Sequence, residues 1–153
     1  MKIRTATMED AQGMSDVLSE IVVMTGRERP RDVTAVRTRY LEHPDRIRCS
    51  VAEDDDGRIL GFQSLLLATQ GNPYGVTEGW GIIGTHVSPR AARQGVGTGL
   101  FAVSRDAAQK AGLPSIDASI ADDNPLGLGY YEAMGFRTYR LSPGTVCKRY
   151  DLG

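Results

Sequence analysis

The chain is short of cysteine, of excess charge of either sign and of long apolar runs, and each shortage excludes a class of protein. It holds two cysteines, Cys49 and Cys147, in 153 residues. They stand far apart and fit no zinc spacing, which sets aside a disulfide-stapled scaffold and a structural zinc site. They read instead as buried strand residues in a reducing compartment. The formal net charge is −1 and no long basic tract exists, so nucleic-acid binding is not expected as the main task. No apolar run approaches the roughly 20 residues of a membrane span. Met1-Lys2-Ile3-Arg4 carries no apolar signal region, so a cytoplasmic protein without a membrane partner is expected. Asp54-Asp55-Asp56 has no companion ligands and reads as a solvated turn, so no metal is expected. No internal repeat or low-complexity segment is present. The length suits one domain spanning residues 1–153.

What is present is a regular succession of short elements. Ile3 to Ala6 reads as a strand. Thr7-Met8-Glu9-Asp10 resembles a capping box, with the Thr7 hydroxyl free to accept from the first turn. In the helix that follows, Ala11, Met14, Leu18, Ile21 and Val22 recur at helical spacing up to Gly26. Gly26 to Arg31 is a basic loop. Asp32 caps a second helix through about Glu42, stopped by His43-Pro44. Ile47, Cys49 and Val51 alternate with polar or small residues as in a half-buried strand. Asp56-Gly57 signals a hairpin, and Ile59 to Leu67 is the return strand. After a polar loop from Gln70 to Gly79, Trp80 to Val87 forms the fourth strand. Gly81 and Gly84 within it suggest a bulge or a place where something approaches the backbone. Val96, Leu100, Val103, Ala107 and Ala111 mark a third helix, ended by Gly112 and Pro114. Ser115 to Ala121 is a fifth strand. Asn124 caps a fourth helix with Pro125 at its first position and Gly135 at its end. Phe136 to Leu141 and Thr145 to Leu152 close the chain as two antiparallel strands. This order predicts an α+β fold: a mixed, mostly antiparallel sheet of about seven strands flanked by about four helices.

The stretch from Val87 to Leu100 stands out. An apolar strand runs into it and a helix runs out of it, and between them lies a turn with Arg90, Arg93, Gly95 and Gly97. Backbone N–H groups are unpaired at a helix start, and the helix dipole adds positive potential, so this is an anion site. The glycines permit unusual dihedrals and close approach, and the arginines suit a phosphate. The sequence Gly95-Val96-Gly97-Thr98-Gly99-Leu100 is not GxGxxG, and no Gly-Lys-Ser/Thr follows, so a dinucleotide fingerprint and a P-loop are both set aside.

Val87-x-Pro89, then Gly95-Val96-Gly97 opening a helix, resembles the cofactor motif of the GNAT superfamily of acetyl-CoA-dependent N-acetyltransferases. Aligned on the glycines, Ala92 stands at that motif's Q/R position and Arg93 where glycine is frequent. A second stretch, Asn124 to Phe136, resembles the family pattern N-x-x-A-x-x-(aromatic or Leu)-Y-E-x-x-G-F. Asn124, Tyr131, Glu132, Gly135 and Phe136 match, and Gly127 replaces the alanine. The order of elements is similar from end to end.

The resemblance implies the GNAT fold, with splayed fourth and fifth strands and acetyl-CoA lying in the resulting V. It implies acetyl transfer to a primary amine of a small molecule or protein, by direct attack on the thioester. Backbone amides from Arg93, Gln94, Gly95, Val96, Gly97 and Thr98 would hold the pyrophosphate. Thr85, His86 and Val87 would pair with the pantetheine amides, one N–H polarising the thioester carbonyl. Asn124 would contact the pantetheine arm or the acceptor. Tyr131 would touch the cofactor and protonate the leaving thiolate. The glutamate that the family often places on the fourth strand falls near Gly81, which has no side chain. Glu78, before the strand, and His86, on it, are the candidate bases. Strand alternation turns His86 away from residues 81, 83 and 85 unless the strand bulges. Asp122 acting through water, or solvent alone, are the alternatives. Residues 10–45, the 68–79 loop and the 141–146 turn are expected to shape the acceptor pocket. Arg27, Arg29 and Arg31 read as a solvated loop, or as contacts to an acidic acceptor. A homodimer is compatible with the family. The rival readings are a non-catalytic acyl-CoA-binding sensor on the same fold, transfer to an alcohol or from a longer acyl-CoA, and a nucleotide-binding α/β domain. The last needs a phosphate loop after the first strand, where Thr7 to Asp10 supplies none.

Overall fold

A computed structural model describes all 153 residues. Seven strands form one sheet: β1 (Lys2–Thr5), β2 (Arg46–Glu53), β3 (Ile59–Leu67), β4 (Gly81–Val87), β5 (Ser115–Ala121), β6 (Arg137–Ser142) and β7 (Thr145–Asp151), in the spatial order β1-β2-β3-β4-β5-β7-β6. Four helices flank it: α1 (Ala11–Thr25), α2 (Val33–Val36), α3 (Val96–Lys110) and α4 (Pro125–Met134). Every strand pair is antiparallel except β4 with β5. The α+β arrangement expected from the element order is the one observed. No helix is long and apolar enough to cross a membrane.

The apolar stripes decide which face each helix covers. Met14, Val17, Leu18 and Ile21 of α1 meet Cys49, Val51 and Phe62 on one face of the sheet. On the other face, Phe101 of α3 and Tyr131 of α4 join Leu65, Ile83, Ile116 and Phe136. Burial of each large apolar side chain here contributes about 1.5–3 kcal/mol. Val96 and Leu100 of α3 are buried as expected, but further along the helix the buried residues are Phe101, Ser104 and Ala108, with Ala107 only at the core's edge and Val103 and Ala111 outside it. The Phe101 ring accounts for the turn of the helix, since it packs on Phe136 and Tyr150. At the chain's start the expected capping box is present, with the Asp10 carboxylate accepting from the Thr7 N–H at 2.8 Å.

Two departures matter for the site. The second helix becomes a π-type turn over Arg37–Leu41, with Glu42 N–H reaching Arg37 O at 2.7 Å, and it carries Tyr40 against Phe62. The expected bulge in β4 is absent: its ladder with β3 is continuous from Gly61↔Val87 to Leu67↔Gly81. Gly81 is there for packing, because a Cβ would lie 2.9 Å from Leu65 Cδ1 and 3.1 Å from Leu113 Cδ1.

The parallel ladder between β4 and β5 covers Gly81↔Ile116 and Ile82↔Asp117 and then stops. β5 stays paired with β7 over its whole length. The two strands therefore part after Ile82, leaving an open wedge beside Ile83 to Val87.

Candidate active site

The phase of the β3–β4 ladder decides which backbone groups face the wedge. Ser88 N–H donates to Leu60 O at one end and Ala68 N–H to Trp80 O at the other, each at 2.8 Å. Hydrogen bonds recur at alternate residues of an antiparallel pair. Ile82, Gly84 and His86 are thereby committed to β3, while Thr85 and Val87 turn their N–H and C=O toward the wedge. Of the expected run Thr85-His86-Val87, the structure brings the outer two to the wedge and turns the backbone of His86 away from it.

The wedge leads to the turn before α3. From Arg93 to Thr98, no backbone N–H has a partner in the chain. Ala92 to Gly95 are exposed, so these donors are open to an anion. The turn is shaped by left-handed residues: Gly95 has φ +78°, with nothing near its Cβ position, and Arg93 has φ +63°. Arg93 thus occupies, at a conformational cost, a place where glycine fits freely. Arg90 is not available to a ligand. Its Nε pairs with Glu20 at 3.2 Å and its Nη2 donates to Ile59 O at 2.7 Å. Ser88 donates to the same Glu20 carboxylate, so this corner ties the turn to α1. The other glycines have packing reasons. A Cβ on Gly97 would meet Tyr130 Cε1 at 2.5 Å, and one on Gly99 would meet Ile3 Cδ1 at 2.5 Å.

The second motif joins the first through Tyr130, whose hydroxyl donates to Gly97 O at 2.8 Å. Asn124 caps α4, its Oδ1 accepting from Gly127 N–H at 3.1 Å. Gly127 leaves room for it: a Cβ there would sit 2.6 Å from Asn124 Nδ2. Glu132 reaches across to the buried Lys148 Nζ at 2.9 Å and ties α4 to β7. Tyr131 lies with its ring against Tyr130 and Phe136 and its hydroxyl 2.8 Å from Thr85 Oγ1.

Gln63 joins that last bond to a small network. This fully buried amide donates from Nε2 to Thr85 Oγ1 at 2.9 Å and to Tyr130 OH at 3.0 Å. With one lone pair of the Thr85 oxygen taken by Gln63, the Thr85 hydroxyl is free to donate to the Tyr131 oxygen, an arrangement that leaves the Tyr131 proton for the wedge. Burial raises the Tyr131 pKa well beyond the ordinary tyrosine value, with the hydrogen bond from Thr85 opposing. The phenol is a proton donor throughout the physiological range. Gln63 escaped the sequence reading, although a glutamine inside the apolar run Ile59 to Leu67 was a visible signal.

Across the sheet, on the face of α1 and α2, lies a pocket of about 440 Å³. Ile82, Gly84 and His86 of β4 form part of its floor, with Ser119 of β5, and Arg39, Tyr40 and Tyr74 stand around it. Two of the expected segments reach this pocket, the stretch before β2 and the loop before β4; the 141–146 turn does not. The loop is held in shape by Asn72, which accepts from the N–H groups of Tyr74 and Val76 and donates to the carbonyls of Thr69 and Val76.

The candidate bases fare differently. Glu78 is exposed on its loop and takes no part in the pocket wall. His86 lies between Phe62 and Tyr40, and burial lowers its pKa to about 3, with the charge of Arg29 adding to the effect. Its Nδ1 is buried without a partner. A buried N–H without an acceptor costs more than an idle lone pair, so the neutral ring carries its proton on Nε2, 3.4 Å from the Tyr40 hydroxyl. His86 therefore offers the pocket no basic lone pair. A different carboxylate is near. Asp117 is fully buried on β5 where β4 departs, accepting from Tyr139 OH at 2.5 Å and from Ser119 Oγ at 2.9 Å. Burial raises its pKa, and these two hydrogen bonds oppose the rise. Ser119 is itself exposed to the pocket.

Residues 14–136 match the model of the acetyltransferase (GNAT) family. No curated protein matches the chain in sequence. In shape it is similar to the GCN5-related N-acetyltransferase from Kribbella flavida, with TM-score 0.80 and 20% identity over 99% of this chain and 97% of that one. It is similar to yncA from Salmonella typhimurium, solved with its cofactor acetyl-CoA, with TM-score 0.78 and 17% identity over 99% and 94% of the two chains. It is also similar to the PaiA N-acetyltransferase from Thermoplasma acidophilum in complex with coenzyme A, with TM-score 0.75 and 15% identity over 98% of each chain. At such identities the likeness is one of fold.

Proposed function

The chain belongs to the GNAT family of acetyltransferases, and from that premise we propose that it acts as one domain, residues 1–153, transferring acetyl from acetyl-CoA to a primary amine by direct attack. The observation that carries this is two sets of unpartnered donors, one in the turn Arg93 to Thr98 and one in the wedge at Val87 and Thr85, the second ending beside the Tyr131 hydroxyl. The exposed N–H groups fit a pyrophosphate, and the strand edge fits an arm that bears amides. Acetyl-CoA supplies an activated acetyl thioester whose leaving thiolate needs a proton. Tyr131 stands as the donor of that proton, aligned by Gln63 and Thr85. On the pocket side, Ser119 gives its own proton to Asp117. Its lone pairs are left for an incoming ammonium, and Asp117 serves as the proton's destination. The size of the pocket favours a small-molecule acceptor.

The test is calorimetric titration of coenzyme A and acetyl-CoA into the wild type, Gly95→Asp and Gly95→Asn. Gly95 has a left-handed φ and open space around it, and both substitutes tolerate that conformation. The aspartate places a negative charge among the donors and is expected to weaken binding roughly 100-fold. Asparagine carries the same backbone strain without the charge, and its binding stays within about fivefold of wild type. Absence of binding in the wild type would overturn the reading.

A further inference from the structure

The acceptor pocket is walled by cationic and neutral groups without a carboxylate. Arg39 lines it, together with two histidines and with apolar surface from Leu66, Ile82 and Tyr74. Arg29, half-buried in the loop after α1, is not itself part of the wall, but its charge acts on both Tyr40 and His86, which are. Neither arginine has a carboxylate partner, whereas the neighbours of Arg29 do: Arg27 pairs with Asp123 and Arg31 with Glu28. Glu42 and Asp45, the acidic residues that flank His43 in sequence, are outside the pocket wall. Asp117 is buried behind Ser119, with both oxygens already engaged. A half-buried guanidinium without a counter-charge is a place kept for one, and its planar fork matches a carboxylate or a phosphoryl group.

Resting on the acetyl-transfer reading, we propose that the acceptor is a small amine that also carries an anion. Its carboxylate or phosphoryl group sits against Arg29 and Arg39, its short apolar body lies along Ile82 and Leu66, and its amine points to Ser119. The Arg29–Arg39 pair is the specificity determinant, since the apolar wall by itself does not distinguish an amino acid from the amine lacking its carboxylate.

The experiment uses matched acceptors: leucine against leucinamide and isoamylamine, and O-phosphoethanolamine against ethanolamine. Acetylation rates and calorimetric binding are both measured, the latter with and without coenzyme A. The anionic member of at least one set is expected to be preferred roughly 10- to 100-fold, and the set with the larger ratio identifies the anion. Arg29→Gln combined with Arg39→Gln should remove that preference, bringing the ratio of anionic to neutral acceptor to within about twofold of one and leaving the affinity for coenzyme A within about twofold of wild type. Equal use of charged and neutral acceptors would overturn the proposal. So would a preference that survives in the double variant, or a loss of coenzyme A affinity in step with it, which would assign the arginines to the cofactor. If no amine is acetylated, the transfer reading falls. The binding of leucine against isoamylamine then decides the acceptor inference on its own.

Discussion

On the wedge side of β4, the candidate donors come from the backbone of Thr85 and Val87 and of the turn Arg93 to Thr98, joined by one phenol from α4. On the pocket side, the lining comes from side chains of the Thr38–His43 segment, β3, the loop before β4, β4 itself and β5. The first half depends on dihedral angles and on which N–H groups lack partners. The second depends on which side chains five separate segments bring together. A substitution on the wedge side therefore changes affinity or rate through geometry, whereas one on the pocket side changes which acceptor is taken. The two halves meet across a single strand, where Thr85 faces one side and His86 the other.

The largest effect that would break this division is expected at Tyr131. Tyr131→Phe keeps the ring against Phe136 and Tyr130 and removes the proton donor. The turnover number should fall about 1,000-fold, within the range found for general acids, with acetyl-CoA affinity unchanged. Loss of the buried hydroxyl and its bond to Thr85 costs about 1 kcal/mol of stability, too little to unfold a domain. Thr85→Val severs the relay from Gln63 and should lower turnover about tenfold, with Thr85→Ser restoring it. Turnover within threefold of wild type in Tyr131→Phe would reduce this residue to packing. Retained acetyl-CoA binding with no turnover in the wild type would favour the sensor.

The uneven legibility of the site follows from the same contrast. The turn and α4 were readable because the function proposed for them lies in adjacent residues: glycines, an N-cap asparagine, a tyrosine at a fixed offset. The strand pairing that opens the wedge was implied only by resemblance, since nothing local in Ile83 to Val87 states that β5 will leave. Gly97 was read as ligand-facing and its N–H is without a partner, yet Tyr130 occupies the space on its side-chain side. Close packing and close ligand approach demand the same residue. Arg90 looked free until Glu20, far away in sequence, met it. The roles of Gln63, Asp117 and Arg29 depend on partners in distant segments, and a single chain without coordinates does not name those partners.

On the pocket side, a smaller effect concerns His86. Its ordinary pKa is 6.5, and burial holds it at about 3. Between those values the unfolded chain binds a proton that the folded chain refuses. The stability from keeping His86 neutral is therefore complete above pH 6.5 and is lost as the pH falls toward 3. The slope is at most about 1.4 kcal/mol per pH unit. Asp117, raised by burial, works in the opposite direction but is common to both proteins compared, so a difference that grows below pH 6.5 reports His86. Urea midpoints of the wild type and His86→Gln should diverge with pH there, the wild type falling more steeply. Parallel curves would mean that the ring accepts a proton in the folded state.

The smallest effect tests whether the turn acts through its backbone alone. Arg93 holds φ +63° without being glycine, a conformation that costs an L-residue about 1–2 kcal/mol. Arg93→Gly removes that cost but adds about 0.4–1 kcal/mol of unfolded-chain entropy. A net gain of about 0.5–1 kcal/mol, visible as a rise in Tm, is left after the two are combined. If the exposed guanidinium also steadies the bound pyrophosphate, coenzyme A affinity drops a few-fold, in line with a surface charge worth about 0.3–1 kcal/mol. Stability and affinity should then move in opposite directions in one variant. A rise in Tm with unchanged affinity would show that Arg93 serves the site by its N–H alone. A fall in Tm would mean that the side chain steadies the turn by more than its left-handed backbone costs.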